Sequence, residues 1–279
     1  MAMLLSRVCS LSALLALTAA VARAQDGGRA ITLATTTSTL DTGLLDSLLP
    51  RFRRESGIEV KAIAVGTGAA LEMARRGDAD VVLVHAPEAE RAYVEAGYLV
   101  GGRRVMHNDF LLLGPSADPA GVRAVRDPGA AMCAIAAGGS FVSRGDGSGT
   151  EQRELALWEV AGIPPASLPR REETGQGMGA TLLVAEQRQT YTLTDRATYL
   201  AFGDRLTLVP VFEGDPSLFN VYHVYLVNPG RHPSVRRREG IEFIRYLTDP
   251  ATQAWIGRFG VETWGQPLFV PDAAGAPDA

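Results

Sequence analysis

The sequence predicts an α/β protein of two lobes joined by two strand-like crossovers, with a ligand cleft between them. Three observations carry that expectation. Short apolar runs alternate with helically spaced ones from residue 30 to residue 100. The same alternation restarts after residue 116. Two strongly apolar β runs, near 109–113 and over 221–227, stand where the chain would leave the first lobe and return, with no flexible linker between the halves. Strand–helix alternation implies right-handed crossovers and a mainly parallel sheet. Hinged closure around a ligand is the motion such an arrangement supports. The expected division is 25–110 with 222–279 for lobe 1, and 111–221 for lobe 2.

Taken in order, residues 30–34 read as a buried strand, and Leu44, Leu45, Leu48, Leu49 and Phe52 recur at helical spacing before Gly57. Residues 58–65 form a strand, 69–76 a helix, 79–84 a strand and 88–96 a helix. Phe110 to Leu113 is a strand stopped by Gly114-Pro115. The run 131–137 reads equally as helix or strand, and its Cys133 as a small core residue. Residues 151–160 and 178–186 are helical, while 191–193, 206–209 and 221–227 are strands. Two helices, 235–247 and 251–259, close the structure, and the Ala/Pro/Asp-rich tail from 271 is expected to be disordered.

Residues 1–24 read as a secretory signal peptide. Arg7 gives a positive start, Leu11 to Val21 form an apolar run too short to span a bilayer, and Ala22-Arg23-Ala24 fits a cleavage site. Cys9 would leave with it, so the exported chain would hold one cysteine and no internal disulfide. The formal net charge is −4, and more negative once Arg7 and Arg23 are removed. No basic stripe with interleaved aromatics is present, which argues against nucleic acid as a partner. Any anion site must be a local arrangement.

Three strand-to-helix turns are donor-rich. The first is Thr35-Thr36-Thr37-Ser38-Thr39, with Thr36, Thr37 and Ser38 as candidate ligand contacts. Hydroxyls there stand beside the free N–H groups of a helix start, where the helix dipole also favours negative charge. An ordinary cap needs one such residue, and Asp41 already suits that role. The second is Val65-Gly66-Thr67-Gly68, where glycines allow close backbone approach and Thr67 adds a donor. It lacks the third glycine of a dinucleotide fingerprint. The third is Ser143-Arg144-Gly145-Asp146-Gly147-Ser148-Gly149-Thr150. Ser148 and Glu151 have capping-box spacing, but a cap needs neither Arg144 nor the glycines. Arg144 offers a planar fork of donors, Asp146 can hold it, and Ser148, Gly149 and Thr150 add donors at the helix start. A fourth stretch, 174–181, either contributes Thr174 to the cleft or is a Gly-rich turn.

Such turns suit a small, charged acceptor with no apolar body. Catalysis finds little support: there is no His-Glu-x-x-His, no Gly-x-Ser-x-Gly elbow, and the single lysine, Lys61, is in no P-loop. His85 ends a strand and either faces the cleft or is structural.

Together these motifs resemble the tungstate-binding proteins of bacterial tungstate ABC transporters. The matching stretches run in order through nearly all of the exported chain: T-T-T-S-T at 35–39, V-G-T-G at 65–68, G-D-A-D-V-V-L-V-H-A at 77–86 and N-D-F at 108–110. F-V-S-R-G-D-G-S-G-T at 141–150, G-Q-G-M-G-A-T at 175–181 and Y-T-L-T-D-R at 191–196 follow. The resemblance implies a two-lobed periplasmic binding-protein fold of type II with the oxyanion in the cleft. It implies tungstate as ligand, no cofactor, no metal cation, no enzymatic step and an ABC transporter permease as partner. A monomeric periplasmic protein without stable membrane insertion is expected. The related phosphate-binding proteins carry a similar Arg-x-Asp-x-Ser-Gly-Thr loop, and Arg144, Ser148, Gly149 and Thr150 match its anion-holding positions. Those proteins also place an aspartate after the third strand to accept a phosphate proton. Here that region is Val84-His85-Ala86, which suits an unprotonated oxyanion such as tungstate, molybdate or sulfate. Phosphate is the alternative ligand. An exported enzyme acting on phosphorylated or sulfated substrates, and a sensory binding protein, are the alternative functions.

Overall fold

The computed structural model describes residues 29–273; the expected signal peptide and residues 274–279 of the tail lie outside them, while Pro271, expected in the disordered tail, pairs with Met106 in a short strand. Lobe 1 begins with parallel strands β1 (Ala30–Thr36), β2 (Glu59–Val65) and β3 (Val81–Val84), which place β1 in the middle. Helix α1 (Thr37–Asp41) and helix α2 (Leu44–Ser56) follow β1. Helix α3 (Thr67–Arg76) follows β2, and α4 (Pro87–Glu95) follows β3. The apolar stripe Leu44, Leu45, Leu48 and Phe52 is buried, as its spacing requires. Asp41 is not the cap of α2. It ends α1, and α2 starts after Gly43, whose φ of 72° needs a glycine.

Strand β4 (Leu99–Gly114) is longer than the sequence suggests. Gly101, Gly102, Arg103 and Arg104 interrupt the apolar pattern, and the register shifts between Val100 and Arg103 and again before Met106. Gly102 lies against Tyr225, where an added Cβ would sit 2.4 Å from the ring. β4 belongs to both sheets. Up to Asp109 it pairs antiparallel with β9 (Phe219–Val227), and from Phe110 it pairs with β7 (Tyr191–Asp195).

The second lobe adds α5 (Pro128–Gly138), β5 (Phe141–Ser143), α6 (Gly149–Val160), β6 (Arg171–Glu173), α7 (Met178–Arg188), α8 (Arg196–Phe202) and β8 (Val209–Phe212). Residues 131–137 are therefore helical, and the strand expected at 206–209 lies at 209–212. The strand order is β2-β1-β3-β9-β4-β7-β5-β6, with β8 and the short β10 (Val270–Pro271) both on β4. Helices α9 (Arg237–Thr248), α10 (Pro250–Ile256) and α11 (Val261–Trp264) close the chain onto lobe 1.

The cores divide where the sheets do. One cluster takes residues from Ile31 to Met106 and from Tyr222 to Phe269, joined by Ala197 of α8. Two others take Phe110 to Leu218. Along β4, Phe110 and Leu112 face α5 and α6, while Leu111 and Leu113 face α7, the two-sided burial that a continuous apolar run signals. Cys133, read from its apolar neighbours as core, is exposed: α5 turns it outward while Ala131, Met132 and Ile135 go in. Among the described residues no helix is long and apolar enough to cross a membrane.

Candidate functional site

Parallel strands end at one edge of each sheet, and there each chain turn must satisfy the open N–H groups of the helix that follows. The ends of β1, β2 and β3 meet those of β5 and β6 across the cleft, and the lobes are closed upon each other. Arg144 Nη2 of lobe 2 donates to Thr37 Oγ1 of lobe 1 at 3.2 Å. Gly149, the first residue of α6, rests on His85; a Cβ there would lie 3.1 Å from the imidazole. Gly66 likewise faces the Asp146 carbonyl, at 3.3 Å from an added Cβ.

Three buried donors in this closed cleft have no partner: Thr67 Oγ1, Arg144 Nε and Thr150 Oγ1. Thr67, Thr150 and Arg144 are 0, 2 and 3 % exposed. An unpaired buried polar group costs about 1–3 kcal/mol, so three on facing turns mark a place built for an acceptor. Each comes from a turn the sequence singles out. Thr67 opens α3 and Thr150 lies in the first turn of α6, where backbone N–H groups add to the donors.

Arg144 is held from behind. Asp146 Oδ2 takes its Nη2 at 2.5 Å. Thr174 N–H donates to Ser143 O at 3.0 Å and Gly175 N–H to Arg144 O at 2.7 Å, which ties the loop to the end of β6. The Thr174 hydroxyl meets Thr181 Oγ1 at 2.8 Å and so belongs to the scaffold of that loop. Below it, Glu154 accepts from Ser143, Arg171 and Trp158 at 2.5, 2.9 and 3.1 Å. Ser148 is the cap of α6, accepting from Glu151 N–H at 3.2 Å. Glu151 reaches back to Gly147 N–H, one residue before the position a capping box would give.

The hydroxyl run is used in more than one way. Thr35 donates to Leu83 O at 2.9 Å and serves the sheet. Thr36 Oγ1 lies 2.8 Å from Thr39 Oγ1 and 3.2 Å from Ser38 Oγ. Ser38 Oγ also lies 3.3 Å from His85 Nε2. Thr36 and Ser38 hydroxyls are thus engaged with neighbours, and Thr37 faces Arg144. His85 is 4 % exposed. Burial foremost, with the Arg144 charge adding to it, lowers its pKa to about 4 against the opposing hydrogen bond that its ring donates to Asn220 Oδ1. The imidazole is therefore neutral near pH 7.

Under the floor lie four residues to which the sequence reading gives no role: Asn108 and Asp195, which fall within matched stretches, Tyr222 of the strand at 221–227, and Asn220. All are buried. Asn108 and Asn220 face each other in the β4–β9 register at the hinge. Burial raises the Asp195 carboxyl, against its hydrogen bonds from Thr198 and Asn108. Among the described residues no group of three or more His, Cys, Asp and Glu is placed to hold a metal ion.

Two α/β lobes closing on donors from both sides define the architecture of a solute-binding protein. The model of the PBP superfamily domain matches residues 21–251. A tungstate-binding protein TupA of Peptoclostridium acidaminophilum is 44% identical over 247 residues, covering 88% of this chain and 86% of that protein. A putative ABC transporter anion-binding protein of Haloferax volcanii is 46% identical, over 87% of this chain and 72% of the other. The solved structure of the tungstate-binding protein TupA of Desulfovibrio alaskensis G20 superposes with a TM-score of 0.76. That structure is 44% identical, covering 88% of this chain and 99% of its own. The chain belongs to the PBP superfamily and, within it, to the family of these relatives.

Proposed function

We propose that the protein is an exported solute-binding protein that captures tungstate between its lobes and delivers it to an ABC importer. The observation that carries this reading is the set of three buried, unpartnered donors, Thr67 Oγ1, Arg144 Nε and Thr150 Oγ1, supplied by both lobes. The names of the relatives favour tungstate among oxyanions. Molybdate, of like charge and shape, is expected to bind comparably or less well.

The chemistry of the cleft is binding alone. Arg144 supplies the full positive charge, and hydroxyl and helix-start donors supply the rest as partial charges. The protein is expected in the periplasm, as a monomer, with no cofactor. Titration calorimetry on ligand-stripped protein, with tungstate, molybdate, sulfate and phosphate, tests the reading. Tight tungstate binding with weak sulfate and phosphate is the expected result. Tight phosphate binding that tungstate cannot displace would overturn it.

A further inference from the structure

Beneath the cleft runs a chain of buried amides that anion binding by itself does not require. Asn220 Nδ2 donates to Asn108 Oδ1 at 2.7 Å and to the Tyr222 hydroxyl at 3.3 Å. Asn108 Nδ2 donates to Asp195 Oδ1 at 3.2 Å. Thr198 N–H and hydroxyl, at 2.9 and 2.6 Å, complete the carboxylate. With its amide nitrogen so committed, Asn220 turns Oδ1 toward His85 Nδ1 at 2.8 Å. An amide oxygen only accepts, so the imidazole carries its proton on Nδ1. Nε2 then shows a lone pair to Ser38, 3.3 Å away. With Nε2 an acceptor, Ser38 is the donor of that contact, and its oxygen, which also meets Thr36 Oγ1 and the Tyr222 hydroxyl, has the wrong polarity for an anion.

We propose that His85 takes up a proton as the oxyanion is captured, and so turns Ser38 into a donor toward the anion. This rests on the oxyanion reading of the cleft. The imidazolium has N–H on both nitrogens. Nδ1–H stays on Asn220, Nε2–H donates to Ser38 Oγ, and the Ser38 proton is released to the ligand. The proton is drawn from solvent, and the new Nε2–H is the only covalent bond formed.

The groups around the ring set the direction. Arg144, from the turn before α6, is the cation whose charge reaches it. Tyr222 of β9 stacks on it with centroids 4.6 Å apart, and burial holds that phenol well above its ordinary range, so it stays neutral. Asp195 of β7 lies at the far end of the amide chain. Glu88 of α4 and Arg153 of α6, opposite in sign, line with Phe110 a cavity that His85 also borders. A dianion against Arg144 offsets the charge that opposes protonation. It also adds an attraction, and an opposite charge within about 4–6 Å moves a pKa by about 1–3 units. Gly149 rests against the same ring, where an added Cβ would lie 3.1 Å from Cε1 and from Nδ1.

Calorimetric titration of the exported protein with sodium tungstate at pH 6.5, in two buffers of different ionisation enthalpy, counts the protons. We expect an uptake of about 0.2–0.5 proton per anion, and an affinity that tightens about three- to tenfold from pH 7.5 to 5.5. His85→Gln should bind tungstate more weakly, with a heat that no longer depends on buffer and an affinity without the pH slope. Should that variant not fold, Asn220→Asp serves: its carboxylate on Nδ1 charges the imidazole beforehand, so binding persists and the uptake falls toward zero. Tungstate binding with equal heats in both buffers would overturn the switch and leave the oxyanion reading standing. Undiminished uptake in both variants would do the same. No tungstate heat in any buffer would overturn both.

Discussion

Arg144→Ala leaves a dianion facing a largely desolvated cleft without its one charge-assisted contact, and leaves Asp146 without its cation. Losing one partner of such a pair costs on the order of 2–5 kcal/mol, roughly 30-fold to several thousand-fold in tungstate affinity. Arg144→Lys should recover only part of this, since a point charge does not reproduce the fork. Thr67→Ala and Thr150→Ala should each cost about 0.5–1.5 kcal/mol, the worth of a neutral hydrogen bond. Calorimetry on variants whose circular dichroism matches the wild type reads all four. These residues were legible in the sequence because each lies within a strand-to-helix turn or the first turn of the helix it leads into, a local pattern. The Asn108–Asn220 pair was not legible. Its members are 112 residues apart and meet only through strand register, and nothing local to His107-Asn108-Asp109 or to Phe219-Asn220-Val221 pairs one amide with the other. Cys133 shows the converse, since an apolar neighbourhood does not say which face of a helix a residue takes.

At the scale of elements, the first turn of α6 does two tasks: it donates to the cleft and it closes on His85. Gly149→Ala separates them. The position has no left-handed φ, so alanine suits the helix start, but its Cβ would lie 3.1 Å from His85 Cε1 and 3.2 Å from the His85 carbonyl oxygen. That carbonyl cannot give way as a flexible side chain would, so lobe 2 must stand off from lobe 1. We expect an unchanged or slightly raised melting temperature without ligand, with tungstate affinity reduced by about tenfold or more, equal to about 1.4 kcal/mol. Wild-type affinity in this variant would show that closure onto His85 is not part of binding. The order of most elements could be read from apolar spacing. What could not be read was the first half of β4, where paired glycines and arginines and two register shifts hide a strand, and α1, where five hydroxyls suggested a single turn.

For the whole molecule, acid should act through His85 before most other groups. Its native pKa lies near 4, below the ordinary 6.5. The native state therefore favours the neutral ring, and the stability this confers is full above about pH 6.5 and is lost as pH falls toward 4. The total is on the order of 3 kcal/mol. Melting curves of stripped protein between pH 7.5 and 4 should show this fall, and His85→Gln should flatten part of it. Identical slopes would place the sensitive group elsewhere. Binding between lobes hinged at β4 and at the entry to β9 should also compact the protein, which small-angle scattering with and without tungstate would follow. The central claim, that one anion is gripped from both lobes at once, is tested most directly by anomalous diffraction from a tungstate-bound crystal. The account predicts a single tungsten peak in the cleft, its oxygens within about 2.7–3.2 Å of Thr67 Oγ1, Arg144 and Thr150 Oγ1. A tungsten peak outside the cleft, or one touched by a single lobe, would contradict it.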